Sequence, residues 1–371
     1  MKFTLSRDAL LKSLGHVQSV VERRNTIPIL ANVLIRVAGS GVSFTATDME
    51  IEINETVEAQ VGKTGAITAP AHTLYEIVRK LPDGAQVELH ATSANQLTLS
   101  SGRSHFKLGC LPVEDFPKMP EGDLKHTFRL SASDLRALID RSRFAISTEE
   151  TRYYLNGIYL HTAKNKNVEV LRAVATDGHR LARVEMPAPE GAKGIPGIIL
   201  PRKTVGEVRK LIEESAGEIE VAMSEAKVRF TFDGVVIASK LIDGTFPDYE
   251  RVIPAGNDKV LEVDTRVFAA AVDRVATISS EKSRAIKISL APGHVVLSAN
   301  SPEAGSATEE LEAKYDGALL DVGFNARYLL DILQQVEGDG ARFNLADATA
   351  PAIIQDVSDT SALYVLMPMR V

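Results

Sequence analysis

Three stretches of this chain open on one pattern. From Phe3, Phe128 and Leu261 the same offsets recur: Leu5, Leu130 and Val263; Ser6, Ser131 and Asp264; Leu10, Leu135 and Phe268; Leu14, Ile139 and Val272. The last three steps set an N-capping residue ahead of apolar positions four apart, which reads as a strand running into a capped amphipathic helix. A spacing of roughly 125 to 135 residues far exceeds the ~20–50-residue units of stacked solenoids. The repeating unit is therefore a whole domain, and 371 residues hold three, each large enough to bury a core.

Each copy then continues in the same order. A strand around Val33, Ile158 or Ile286 leads to a second segment of strand character: VSFTATDMEIEI, VLRAVATDGHRLARV or VVLSANSPEAGSATEEL. A second helix follows, marked by Leu74, Ile77 and Leu81, by Val205, Val208 and Ile212, and by Tyr328, Leu329, Ile332 and Leu333. Alternating segments come next, closed by SHFKLGCL, VVIASKLI and ALYVLMPM. The expected fold is α+β: three domains of about two helices and eight strands each, over 1–123, 124–252 and 253–371, joined by proline-bearing linkers.

Several function classes drop out. One cysteine, Cys110, excludes an internal disulfide and any multi-cysteine metal site and points to a reducing cytoplasm. No apolar run reaches the ~18 residues of a membrane span, and Arg7, Asp8 and Lys12 interrupt any signal-peptide core. There is no HExxH or GxxxxGK pattern, and no metal or cofactor is implied. A net charge of −7 ordinarily argues against nucleic acid. Yet the six helical windows hold 16 Lys and Arg against 11 Asp and Glu, a net of +5, while the remainder is −12. In the fourth window Arg202, Lys203, Arg209 and Lys210 share one stripe, with Glu213 in the same sector.

The strings TIPILANVLI, SGRSHFKL, RYYLNG, ATDGHRLA, PRK, FPDYERV and VLMPMR, in this order from end to end, resemble the bacterial β sliding clamp family, the beta subunit of DNA polymerase III. That resemblance implies a non-catalytic processivity factor for DNA replication. It implies a head-to-tail homodimer forming a six-domain ring around double-stranded DNA, opened by a separate clamp loader. It carries DNA contacts over to Arg24, Arg152, Tyr153, Tyr154, Arg202 and Lys203, although strand alternation expects one of the two tyrosines to be partly core. Glu149 replaces a neutral residue of some relatives and weakens the case for a contact from that loop.

The resemblance also implies a pocket for short peptide motifs of the replicative polymerase and other partners. Its residues are Leu155, Thr176, Gly178, His179, Arg180 and Leu181 from the second repeat; Pro247, Arg251 and Val252 from the linker; and Val365, Leu366, Met367, Pro368, Met369 and Arg370 at the C-terminus. Two flexible thioethers around a proline suit variable apolar partners, and Arg180, Arg251 and Arg370 could orient a carboxylate or carbonyl. Ring closure is expected to use Phe106 and Leu108 against Thr277 and Ile278, although alternation equally allows Phe106 and Leu108 to face their own core.

Two other classes stay open at this level. A monomeric repeat scaffold could bind peptides without encircling DNA. An acid–base enzyme could use Asp177 and His179, but no further nucleophile or carboxylate is placed by a motif to complete such a site.

Overall fold

A computed structural model describes residues 1–23, 26–120, 122–279 and 284–371. Among these the chain forms two α-helices per repeat: α1 (Arg7–Val17), α2 (Ala71–Lys80), α3 (Ala132–Asp140), α4 (Arg202–Leu211), α5 (Thr265–Ala276) and α6 (Ala326–Leu333). Nine strands belong to the first repeat and eight to each of the others. The additional one, Gln60–Lys63, pairs with Lys2–Ser6; in the third repeat a single bridge, Glu262 to Lys314, stands in its place. Each long second segment folds back on itself as a hairpin, so Gly41–Thr47 pairs with Ile51–Glu58 and Val168–Thr176 with Arg180–Pro187.

The three capping residues hold their helices as the offsets require. Ser6 Oγ accepts from Ala9 N at 3.3 Å, Ser131 Oγ from Asp134 N at 3.0 Å, and Asp264 Oδ1 from Val267 N at 2.9 Å. Each cap is worth about 1 kcal/mol. Behind them the periodic apolar positions are sealed: Leu10, Leu14 and Val17 of α1 and Phe268 and Val272 of α5 are fully buried. Phe3 meets Phe44 edge-on at 6.4 Å and so joins the two sheets of the first repeat, whereas Phe268 of α5 meets Phe343 at 5.5 Å and fixes that helix to its sheet.

The strands form four antiparallel sheets, of which two cross the repeat boundaries. In one, the last strand of the second repeat, Val235–Lys240, pairs with Ile51–Glu58 of the first through Val235↔Glu55, Ile237↔Ile53 and Ser239↔Ile51. In the other, the last strand of the third repeat, Ala362–Leu366, pairs with Arg180–Pro187 of the second through Arg180↔Leu366 and Leu181↔Val365. Because both half-sheets of the second repeat continue into a neighbour, compactness cuts through it. One unit holds Met1–Leu135, Pro189–Pro196 and Gly206–Leu241; the other holds Arg136–Ala188, Gly197–Val205 and Ile242–Val371.

Counted over the helices as they form, Lys and Arg outnumber Asp and Glu by 12 to 7, and α4 alone has four against one. The basic excess is concentrated there. Arg209 pairs with Glu213 one turn on, so the acidic residue in that sector neutralises a local charge.

Candidate functional site

The site grows from the turn that ends the strand Val168–Thr176. Thr176 Oγ1 donates to Arg180 O at 2.7 Å and accepts from Gly178 N at 3.1 Å. Asp177 Oδ1 accepts from His179 N at 2.9 Å and Arg180 N at 3.1 Å, which is how Asp stabilises a tight turn. With the turn fixed, Arg180–Pro187 leaves in register with the C-terminal strand, and Leu181 stands opposite Val365 on one face. Met367 N then donates to His179 O at 2.9 Å and ties the chain end to the turn.

Around that pair lies a cleft of about 290 Å³, walled by Tyr154, Leu155, Thr176, Pro247, Tyr249, Val252 and Met367. Leu155, Leu181, Tyr249 and Val365 also belong to a buried cluster with Val174, Ile199, Phe246 and Leu363, so the floor is rigid core. The rim is different: Val252 and Met367 are 49% and 41% exposed. Apolar side chains held open at a concave rim are the mark of a site for an apolar guest. A larger hollow of about 830 Å³ in the same unit mixes Val263, Ala313 and Val357 with four carboxylates, Glu262, Asp264, Glu312 and Asp339, so its apolar side chains do not stand free of charge.

Nine residues expected at the pocket line it: Leu155, Thr176, Gly178, Arg180, Leu181, Pro247, Val252, Val365 and Met367. His179, Arg251, Leu366, Pro368, Met369 and Arg370 do not. Leu366 is fully buried on the opposite face of its strand, as alternation demands. Met369 N is drawn away to Gly323 O at 2.9 Å, His179 is exposed and stacks on Tyr328 with ring centres 6.1 Å apart, and Arg251 pairs with Asp248 at 2.6 Å.

Arg180 is held from several sides. Its Nε donates to Asp177 at 3.1 Å, Nη1 to Asp331 at 2.5 Å and Nη2 to Phe144 O at 2.8 Å, and its guanidinium lies 4.4 Å from the centre of the Tyr328 ring. All three nitrogens are engaged within the protein, so this cation braces the turn while two of its five N–H donors stay over at the cleft it lines.

Four further residues, Arg152, Tyr154, Asp248 and Tyr249, line the cleft beyond those expected of it. Tyr249 is the most consequential. Its hydroxyl lies 3.0 Å from His161 Nε2 and 3.1 Å from Arg172 Nη1, and Arg172 also binds Glu185 at 2.7 Å and Glu250 at 2.5 Å. His161 Nδ1 faces Thr162 O at 3.0 Å and so carries the proton, which leaves Nε2 to accept from Tyr249 O–H. Burial lowers the pKa of His161 and raises that of Tyr249, keeping both neutral. Burial opposes the Arg172 charge, but hydrogen bonds to Glu185 and Tyr249 outweigh it and hold the guanidinium protonated. The string FPDYERV is the only sequence signal for this wall, since Tyr249 falls between Pro247 and Val252, the two of its three expected residues that line the cleft.

The residues expected to meet DNA separate. Arg24 lies outside the described residues. Tyr153 is 53% exposed, whereas Tyr154 packs on the buried cluster, so one tyrosine of the pair is core-facing. Arg152 turns to the cleft and is held by Glu149 at 2.7 and 2.8 Å. Arg202 and Lys203 are exposed in the first turn of α4. At the expected seam Leu108 is 8% exposed, packed beside Leu97 within its own repeat, while Phe106 is half-buried. Thr277 is exposed and caps α5, and Ile278 is half-buried. No helix among the described residues is long and apolar enough to cross a membrane.

Known proteins match this arrangement throughout. Residues 1–120, 129–248 and 250–370 match the profiles described as the N-terminal, central and C-terminal domains of the DNA polymerase III beta subunit. Over the full length of both chains, the beta sliding clamps of Caulobacter vibrioides and Escherichia coli K12 are 55% and 37% identical to it. Among solved structures, the Caulobacter crescentus beta sliding clamp superposes with a TM-score of 0.98 at 55% identity, covering 100% of this chain and 99% of that one. A Bartonella birtlesii sliding clamp bound to griselimycin superposes with a TM-score of 0.97 at 52% identity, covering 100% of both.

Proposed function

The chain belongs to the DNA polymerase III beta subunit family, and from that premise we propose how its own residues serve a sliding clamp, a processivity factor that holds replication enzymes on DNA and catalyses nothing itself. Two copies close head to tail into a six-domain ring in the cytoplasm, a clamp loader opens it, and double-stranded DNA runs through it without being read.

One observation carries the closure. At both internal joints the last strand of a repeat pairs with the strand that follows the second-segment turn in the repeat before it. The same rule leaves two sheet edges over: Ser104–Gly109, the last strand of the first repeat, and Gly305–Glu312, the post-turn strand of the third. A second copy satisfies both edges at once, and a head-to-tail pairing of this kind closes after two chains. Phe106 and Ile278 then supply apolar surface beside the seam, Thr277 makes it less hydrophobic, and Arg274 of α5 pairs at 2.5 Å with Glu309 on the receiving strand.

A clamp must stay on DNA and still move, so it depends on topology together with weak phosphate contacts. Arg202, Lys203 and Tyr153 are the contacts favoured here. Arg202 and Lys203 are exposed cations at the start of α4, the most basic of the six helices, which suits weak contacts to phosphates. The cleft of Leu181, Val365, Tyr249 and Met367 takes the apolar anchors of partner peptides.

The test is to load the protein onto nicked circular DNA with a clamp loader and ATP, then cut the circle. Retention before cutting and release afterwards is expected. Persistence on the linear product, at salt that suppresses phosphate contacts, would sink the topological reading.

A further inference from the structure

The turn beneath the cleft has a twin at the joint of the first and second repeats. Thr47 Oγ1 donates to Ile51 O at 2.9 Å and accepts from Met49 N at 2.9 Å, as Thr176 does with Arg180 O and Gly178 N. Asp48 Oδ1 accepts from Glu50 N and Ile51 N at 2.9 and 2.8 Å, as Asp177 does from His179 and Arg180. The strand register behind the turn also agrees: Ile51 faces Ser239 and Glu52 faces Ala238, where Arg180 faces Leu366 and Leu181 faces Val365. Phe116 and Pro117 recur as Phe246 and Pro247, which brings Met119 to the position of Tyr249. Met119, Glu52 and Ala238 share a groove of about 230 Å³.

The backbone is the same and the chemistry is not. The apolar floor pair Leu181 and Val365 becomes Glu52 and Ala238. Met49, 46% exposed at φ 75°, stands where Gly178 leaves space. Among the described residues the contact found for the Glu52 carboxylate is a long one, Met119 N at 3.5 Å, and burial holds its pKa above the usual range. Lys227 and Arg229 also line the groove, yet among the described residues neither forms an ion pair with Glu52, and Lys227 Nζ donates to Pro120 O at 2.6 Å. An aliphatic anchor entering here would desolvate a carboxylate held by no ion pair, which is strongly unfavourable.

We propose that Glu52 confines apolar-peptide docking to one joint per chain: the first–second joint is a duplicate of the peptide groove, closed to apolar anchors by one carboxylate. Discrimination of this kind comes from a repulsive group at the wrong site as much as from attraction at the right one. The inference rests on the cleft reading given under the proposed function.

The experiment is calorimetric titration of the full chain with a short capped peptide carrying leucine and phenylalanine. Wild type is expected to bind one peptide per chain, Leu181→Glu none, and Glu52→Leu/Met49→Gly two, the second within about a hundredfold of the first. If the double variant loses the wild-type melting profile, the shape-preserving Glu52→Gln is read instead, and a second, weaker site supports the proposal. A stoichiometry of one in the folded variant, or of two in wild type, overturns it. No binding by wild type, or undiminished binding by Leu181→Glu, overturns the cleft reading instead.

Discussion

Arg152 Nη1 lies 2.7 Å from the point a Cβ on Gly178 would occupy. Gly178 has φ +89°, and although Met49 holds φ 75° at the matching turn, a side chain in that left-handed conformation costs about 1–2 kcal/mol. Displacement of Arg152 is the specific consequence. Gly178→Ala is expected to weaken peptide binding at the cleft about tenfold, the ratio that corresponds to 1.4 kcal/mol, and adding Arg152→Ala should recover most of it. Equal loss in the single and double variants, measured by calorimetry, would mean that the contact is not the cause.

Arg180 is 9% exposed in its side chain and joins Asp177, Asp331 and the Phe144 carbonyl. Removing it leaves Asp331 without its cation and the turn without its brace. Breaking a buried ion pair from one side costs about 3–5 kcal/mol, so Arg180→Ala should lower the urea midpoint clearly. Arg180→Lys should recover little, because one ammonium cannot reach three acceptors in that geometry. A midpoint unchanged by Arg180→Ala would show that the brace is dispensable.

His161 makes stability depend on pH. Its folded pKa is lowered by burial first and by Arg172 second, so the native state holds it neutral while the unfolded chain accepts a proton near the ordinary value of about 6.5. Between that value and the lowered one the unfolded state binds more protons, and stability falls as pH falls through the window. Melting temperatures at pH 7.5 and 5.5 should drop more for wild type than for His161→Gln. Equal drops would place the acid sensitivity elsewhere.

Much of the fold is legible in the chain because each repeat states it independently. The caps at Ser6, Ser131 and Asp264 and the apolar rows behind them are local, and local spacing carries them. The joints are less so: Leu181↔Val365 and Glu52↔Ala238 bring together residues from different repeats, and no window of sequence contains both partners. The site divides along the same line. Leu155, Leu181 and Val365 come from the family resemblance, whereas the engagement of Arg180 depends on Asp331 and Phe144, and the place of Tyr249 in the wall depends on His161 and Arg172. Arg152 is a DNA contact by resemblance, and nothing in the sequence says which way a surface arginine beside tyrosines points. Its direction is set by Glu149 and by the missing side chain at Gly178.

Arg202 and Lys203 offer the most direct check on the DNA reading. Both stand exposed in the first turn of α4, and the Arg202→Ala/Lys203→Ala variant is first checked for a wild-type melting profile. Each phosphate contact removed flattens the dependence of log K on log salt by about 0.9, so duplex binding measured by anisotropy across a salt series should show a slope shallower by about 1.8 per chain. Tyr153→Ala provides the contrast. A stacking or hydrogen-bonding ring contributes affinity without releasing a counterion, so its removal should lower the whole line and leave the slope unchanged. A slope preserved in the Arg202 and Lys203 variant would remove α4 from the phosphate contacts.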